Sequence, residues 1–246
     1  MELPDFVYVL AVFALAGFTK GIIGLGLPTI SMGLLAVVLS PVEAAALLIL
    51  PSLVTNAWQM LDGPHLMSLV RRLWPLNLGV CLGTWVGAAF LAGLGGPYGA
   101  PALGIALMAY AASGLAALKP AVPAGAESWM GPLAGASTGA ITAATGVFVI
   151  PAVPYLQAIG LTKGELVQAL GLSFTVSTLA LAVTLAGSAD LGVELAWPSV
   201  AGVAVALSGM RLGQAVRACL SPATFRVCFF CGLLALGAYL AARGLG

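Results

Sequence analysis

The first apolar run of the chain contains the sequence Gly17-Phe-Thr-Lys-Gly-Ile-Ile-Gly-Leu-Gly-Leu-Pro28. Lys20 is the single charged residue between Phe6 and Leu39, and the run is much longer than the ~20 residues that one helix needs to cross a bilayer. Because glycine and proline interrupt helices, we expect a break near Gly24. A broken helix at membrane depth is tolerated only inside protein or beside a water-filled cavity. This run therefore predicts a broken membrane helix that lines a transport site.

The composition is that of a multi-pass all-α membrane protein. The chain of 246 residues is 61% hydrophobic and 7% charged, and its mean hydropathy is +1.10, which excludes an ordinary soluble domain. A net charge of +1 offers no basic surface for nucleic acid. The sequence has no P-loop, no HExxH and no GxSxG motif. We therefore expect no enzyme activity, no catalytic residues, no cofactor and no metal site.

The four cysteines all lie in or beside apolar runs. Cys228 and Cys231 have the CxxC spacing, but no second cysteine or histidine pair accompanies them. We interpret them as small packing residues buried within a helix. His65, the only histidine, lies in a polar loop and gives no support to a metal site.

The apolar segments form two series of the same kind, each with one long broken segment followed by three single helices. The first series is Phe6–Leu39, Pro41–Leu61, Leu73–Leu94 and Tyr98–Leu118. The second series is Trp129–Ile159, broken near Gly146, then Lys163–Ala186, Trp197–Arg217 and Pro222–Arg243. Residues Asp62–Arg72 are predicted to form a polar loop and Lys119–Ser128 a linker. The chain thus divides into a first transmembrane repeat, 1–120, and a second, 121–246, within one integral membrane unit.

The two series match at a near-constant offset, which indicates an internal duplication. Matching pairs 122 residues apart are Gly17 and Gly139, Gly24 and Gly146, and Glu43 and Glu165. Both glutamates follow the capping-box pattern, in Ser40-Pro-Val-Glu43 and Thr162-Lys-Gly-Glu165.

Loop charges predict that the two repeats are inverted. Arg71 and Arg72 lie in a loop whose counterpart carries Asp190 and Glu194. Since Lys and Arg remain cytoplasmic, equivalent loops favour opposite sides of the membrane. The prediction is two inverted-topology repeats with 8 to 10 helical segments in all. Whether each broken segment is a full hairpin or a kinked single span is left open.

The broken segments and the helices that follow them supply the candidate site. Free backbone N–H groups at a helix N-terminus attract anions, and the second helix of each series carries a polar face. The candidate substrate-binding residues are Lys20, Gly21, Gly24, Gly26, Ser52, Asn56, Gln59, Thr145, Gly146, Ser173 and Ser177. Two alternatives stay open: the glycines serve only close helix packing, and the ammonium of Lys20 only reaches the membrane surface.

Three motifs resemble those of the TauE/SafE sulfite exporter family: Gly17–Pro28, Pro51-Ser-Leu-Val-Thr-Asn-Ala-Trp-Gln59 and Gly146-Val-Phe-Val-Ile-Pro151. The resemblance covers both series and essentially the whole chain. It implies a multi-pass permease of the plasma (inner) membrane for sulfite, an organosulfonate or a related sulfur or carboxylate oxyanion.

We therefore expect a secondary transporter, of exporter type, that works by alternating access about a site between the broken helices. Its partners would be a small anion and the lipid bilayer, with a coupling proton and a homodimer left open. The rival functions are a passive anion channel and a membrane assembly protein that transports nothing.

Overall fold

The computed structural model describes residues 3–90, 98–116, 121–188, 195–219 and 221–243. Within these ranges the fold is entirely helical, and strands are absent. The ten α-helices are α1 (Leu3–Ile23), α2 (Leu27–Val38), α3 (Pro41–Leu61), α4 (Leu66–Phe90), α5 (Gly99–Leu115), α6 (Glu127–Thr145), α7 (Ala152–Ala158), α8 (Lys163–Ser188), α9 (Ala196–Val216) and α10 (Pro222–Arg243). Short 3₁₀-helices cover Ala124–Ala126 and Arg217–Cys219.

Five of these helices, α1, α3, α8, α9 and α10, are long and apolar enough to cross a membrane. The predicted all-α membrane fold is confirmed. The boundaries of α3 and α10 are those predicted, and α3 begins at the predicted capping box, in which Ser40 and Glu43 bond each other's backbone N–H.

The predicted loop Asp62–Arg72 is wrong in its second half. Helix α4 begins at Leu66, so Arg71 and Arg72 lie on its first turns. The reason is an apolar stripe of the partly buried Leu66 and the buried Leu69 and Leu73, whose spacing of three and four residues is helical. The counterpart loop with Asp190 and Glu194 lies outside the described residues, as does Lys119.

Each broken segment is a hairpin. After Gly24 and Gly26, whose φ angles are 76° and 107°, α2 returns along α1, and the Tyr8 hydroxyl donates to the carbonyl of Leu34 at 2.6 Å. In the second hairpin α7 returns along α6, and the Tyr155 hydroxyl lies 3.5 Å from the carbonyl of Glu127. Positive φ angles are accessible to glycine without steric cost, which explains a glycine at each turn.

The two hairpins open towards opposite ends of the molecule. Arg72, at the start of α4, donates to the Glu127 carboxylate and to the carbonyl of Ile159, so α6 begins and α7 ends beside the turn from α3 to α4. The first hairpin opens at the other end, where α2 leads through Leu39 and Ser40 into α3. The two hairpins therefore have the opposite orientations that a pair of inverted repeats requires.

Helices of one series pack against helices of the other through glycines. Helix α1 lies along α9, and α6 lies along α4. A Cβ atom on Gly17 would lie 2.2 Å from the carbonyl oxygen of Ala206, and one on Gly139 would lie 2.2 Å from that of Val80. The backbones therefore approach so closely that no larger residue fits, as in small-xxx-small membrane pairs.

The interpretation of the CxxC cysteines as buried residues is wrong. Cys228 and Cys231 are exposed on α10. The buried side of this helix instead carries Phe229 and Phe230, which pack edge-to-face against Tyr110 of α5. The large aromatic side chains take the interior positions, and the two thiols face outward.

Candidate functional site

Lys20 is a buried cation at the end of α1, directly before the first break. Its side chain is only 3% exposed, and its ammonium donates to Thr55 Oγ1 at 3.2 Å and to Asn56 Oδ1. Among the described residues no carboxylate pairs with it. An ammonium inside apolar protein is costly without a compensating negative charge. Lys20 therefore does not reach the surface of the protein, and the described residues provide no carboxylate as a counter-ion for its charge.

The partners of Lys20 belong to a buried polar face of α3. Asn56 Nδ2 donates to Ser52 Oγ at 2.9 Å and lies 3.4 Å from Thr178 Oγ1 on α8. The hydroxyls of Ser52 and Thr178 are 3.3 Å apart. Thr55 and Thr178 thus join the cluster although neither is among the candidates above. Two sequence features could have indicated these threonines. Thr55 lies three residues after Ser52 on the same helix, and Thr178 lies 122 residues after Asn56.

Gln59, one turn further along α3, connects the first break to α8. Its Nε2 donates to the carbonyl of Gly24 at 3.2 Å and to that of Val167 at 2.9 Å. The N–H of Gly24 in turn donates to the carbonyl of Lys20 at 2.8 Å. Gly24, at the first break, is therefore hydrogen-bonded both to the side chain of Gln59 and to the backbone of Lys20.

The N-terminus of α2 presents free backbone N–H groups at this break. Gly26 is its N-cap and provides no side-chain cap. The N–H groups of Gly26, Leu27 and Thr29 donate to no acceptor in the described part of the chain, and Leu27 and Thr29 are fully buried. These groups form the positive end of the helix dipole. The first broken segment therefore contributes two kinds of buried positive group, these N–H groups and the Lys20 ammonium.

The second break differs because its own threonine hydroxyls satisfy it. Thr145 Oγ1 donates to the carbonyl of Ile141 at 2.7 Å and accepts from the N–H of Val147 at 3.1 Å. Thr138 Oγ1 accepts from the N–H of Ala152, the first residue of α7, at 3.0 Å. The second tip therefore differs from the first in having no charged side chain and in having threonine hydroxyls that accept from two of its N–H groups.

The remaining candidates make no hydrogen bond to the Lys20 cluster within the described structure. Gly21 packs on α9, where its Cβ would lie 2.2 Å from the Met210 carbonyl oxygen. Gly146 is the left-handed cap of α6, and its Cβ would lie 2.6 Å from the side chain of Met32 on α2. Ser177 donates to the carbonyl of Ser173 on its own helix at 2.8 Å, while the buried Ser173 hydroxyl has no partner among the described residues.

No cofactor-type arrangement accompanies this cluster. Within the described ranges, no three His, Cys, Asp or Glu side chains are grouped to hold a metal ion. A groove of about 330 Å³ lies between α6 and α7, and Trp129, Leu133, Pro151 and Tyr155 contribute to its mainly apolar walls. The residues that line this groove include none of the Lys20 cluster.

A protein-family model described as sulfite exporter TauE/SafE matches residues 9–240. The match covers nearly the whole chain and includes both hairpins and the polar faces of α3 and α8. A search of curated proteins gives no match, and neither does a search of solved structures.

Proposed function

Because the chain belongs to the TauE/SafE sulfite exporter family, we propose that it is a secondary transporter that exports a small sulfur or carboxylate oxyanion, such as sulfite or an organosulfonate, across the plasma membrane. The observation that carries this proposal is the buried ammonium of Lys20. It belongs to the same broken segment as the free N–H groups of α2 and has no carboxylate partner among the described residues.

The anion would bind between the Lys20 ammonium and the N–H groups of Gly26 and Leu27. A hydrogen bond to a charged group contributes ~1.5–3 kcal/mol, so two or three such bonds give selective binding of a small anion. Asn56 and Thr55 would hold the ammonium in position, since they are its two protein acceptors. In this proposal the second tip, with Thr145 and Gly146, closes the site rather than binding the anion.

Transport requires the site to open to each side in turn. With Lys20 only 3% exposed, the proposed site would have to open before an anion could enter or leave it. The hairpins open towards opposite ends, which suits them to act as the two gates of an alternating-access cycle. The glycine contacts of the α1–α9 pair and of the α4–α6 pair each join a helix of residues 1–120 to a helix of 121–246, so they oppose a simple rocking of the two repeats. We therefore propose that each pair moves as a unit and that the two pairs move relative to each other.

Efflux from liposomes tests the proposal and separates it from its rivals. Purified protein in liposomes loaded with ³⁵S-sulfite should show efflux that saturates and is accelerated by external unlabelled sulfite. A passive channel would give flux without saturation or exchange, and an assembly protein would give none. Lys20→Met should abolish the saturable flux. Ser208→Ala, which removes an exposed hydroxyl bonded to its own helix at Ala204, is the control and should transport normally.

A further inference from the structure

We propose that the Lys20 site takes a monoanion that itself carries an N–H or O–H donor, so that its sulfite cargo is hydrogen sulfite rather than the sulfite dianion. This inference rests on the proposed function and narrows the substrate class of the same site. It begins from the side-chain oxygen of Gln59, which is buried at the first break and accepts no hydrogen bond from the described residues.

The orientation of the Gln59 amide is fixed by its neighbours. Both N–H groups of Nε2 are used, on the carbonyls of Gly24 and Val167. Exchanging the nitrogen and oxygen would put Oε1 against two carbonyl oxygens, and neither can donate. Oε1 therefore faces away from both carbonyls. Since Gln59 is only 7% exposed, this oxygen is a buried hydrogen-bond acceptor without a donor among the described residues.

Gln168 shows what a satisfied glutamine looks like in the same surroundings. It bridges α8 to α3 in the opposite sense, because its Nε2 donates to the carbonyls of Met60 and Gly63, each at 2.8 Å. Its Oε1 accepts from the N–H of His65 at 3.0 Å. The two amides make the same kind of bridge, yet only the one beside Lys20 keeps a free oxygen. Because an unmet buried acceptor destabilises the protein, its place at the anion site points to a ligand that donates.

The charge of the site sets the charge of the ligand. The hydrogen-bond partners of Lys20 and Gln59 are all neutral: Thr55, Asn56, Gly24 and Val167. A monoanion would make the loaded site neutral, whereas a dianion would leave one negative charge in a water-poor interior. One ammonium and one free acceptor therefore fit a protonated oxyanion with a single negative charge.

Three small anions test the proposal by calorimetry on the purified full-length protein in lipid nanodiscs. Sulfamate and methanesulfonate are monoanions of nearly the same shape, and sulfamate alone carries N–H donors. Sulfate has no donor and two negative charges. Sulfamate should bind about tenfold more tightly than methanesulfonate, and sulfate should bind most weakly. Equal binding of sulfamate and methanesulfonate, or sulfate binding as tight as sulfamate, would overturn the proposal and leave anion transport intact. Failure of all three anions and of sulfite to bind would overturn both.

Two glutamine variants assign the preference to one oxygen. Gln59→Met keeps the length of the side chain but removes the acceptor, and should bring the affinities for sulfamate and methanesulfonate within about twofold. Gln168→Met is the matched control: it loses a similar bridge between α3 and α8 and should keep the tenfold preference. A tenfold preference that survives in Gln59→Met would refute the assignment. Should Gln59→Met fail to fold, the affinity ratio of the unaltered protein still decides the proposal.

Discussion

Asn56 Nδ2 on α3 lies 3.4 Å from Thr178 Oγ1 on α8, and the two residues are 122 positions apart in the chain. The same offset separates Gly17 from Gly139 and Gly24 from Gly146. In the proposed pair of inverted repeats, these two equivalent residues thus meet where α3 packs against α8. The symmetry stops there, because the position that corresponds to Lys20 is Thr142, whose hydroxyl donates to the carbonyl of Thr138 on its own helix. The single ammonium leads us to expect one anion per protein.

Lys20→Met is expected to abolish sulfite binding, because it removes the ammonium that contacts Asn56 and Thr55. Lys20→Arg should weaken binding by about tenfold or more, since the planar guanidinium is larger than the ammonium that fits this closed site. Direct calorimetric binding checks both. Normal binding by Lys20→Met would leave the N–H groups of α2 as the only anion-binding groups.

Asn56→Ala should lower anion affinity by about tenfold while leaving the protein folded. The substitution leaves Lys20 with one protein acceptor, Thr55, and frees the ammonium to take other positions. Asn77→Ala is the matched control, because Asn77 is a buried amide on α4 that makes no hydrogen bond to the Lys20 cluster. If the two variants bound the anion with comparable affinity, the proposal that Asn56 belongs to the anion site would be refuted.

Gly17→Ala and Gly139→Ala should each destabilise the fold by about 1–3 kcal/mol, because the new Cβ atom would overlap a facing carbonyl. Gly232→Ala on α10 is the control: nothing lies within 4 Å of its Cβ position, and alanine favours a helix by up to ~1 kcal/mol. Thermal unfolding in detergent should show lower midpoints for the first two variants alone. Unchanged midpoints at Gly17 and Gly139 would contradict the close backbone contacts.

Glu127 should make stability depend on pH in the acid range. The hydrogen bonds from the Arg72 guanidinium hold the pKa of the Glu127 carboxyl below its ordinary value. The ionic pair therefore stabilises the fold fully above the ordinary glutamate range, and the contribution is lost as the pH falls through the lowered pKa. The side chains of Arg72 and Glu127 are 39% and 25% exposed, so the effect should stay below about 1 kcal/mol.

Glu127→Gln tests this contribution. Unfolding midpoints of the unaltered protein and of the variant, compared from ~pH 6 down to ~pH 3, should approach each other as the pH falls, because protonation of the carboxyl removes the ionic pair. A constant difference across that range would show that the carboxylate charge contributes nothing.

The predicted topology places Arg71 and Lys163 on the cytoplasmic side and Glu2 and Asp190 outside. The structure brings the start of α8 to the end that carries Arg72, since the His65 N–H bonds Gln168 there. Single cysteines at positions 71 and 190 should therefore label from opposite sides of intact cells. The background must lack Cys219, Cys228 and Cys231, which are exposed. Labelling of both positions from one side would refute the topology.

The sequence predicts the helices and the breaks well because local chemistry sets them. The break near Gly24 follows from residues that tolerate left-handed backbone, and the start of α3 follows from the Ser40–Glu43 capping box. The cluster of Ser52, Asn56 and Gln59 follows from spacing along one helix. These features need no knowledge of which helices are neighbours.

Features that depend on a partner helix could not be predicted from these patterns. A glycine stripe on α1 shows that some backbone comes close, but not that it belongs to α9. The hydroxyl of Ser177 could equally have faced the site, and it bonds its own helix because a nearby carbonyl is always available. The exposure of Cys228 was missed for the same reason, since Phe229 and Phe230 determine which side of α10 is buried.

The contact of Gly17 with Ala206 also determines how early α1 can pack against its partner helix during membrane insertion. Helix α1 leaves the ribosome early, but its partner backbone on α9 is made about 190 residues later, which at 5–20 residues per second takes about 10–40 s. During that interval the glycine face of α1 has only lipid or the insertion machinery as a neighbour. Lys20 gains its α3 acceptors much sooner, because Thr55 and Asn56 are synthesised only 35 and 36 residues after it. In the nascent chain, the Lys20 ammonium can therefore be hydrogen-bonded by α3 well before α1 can pack against α9.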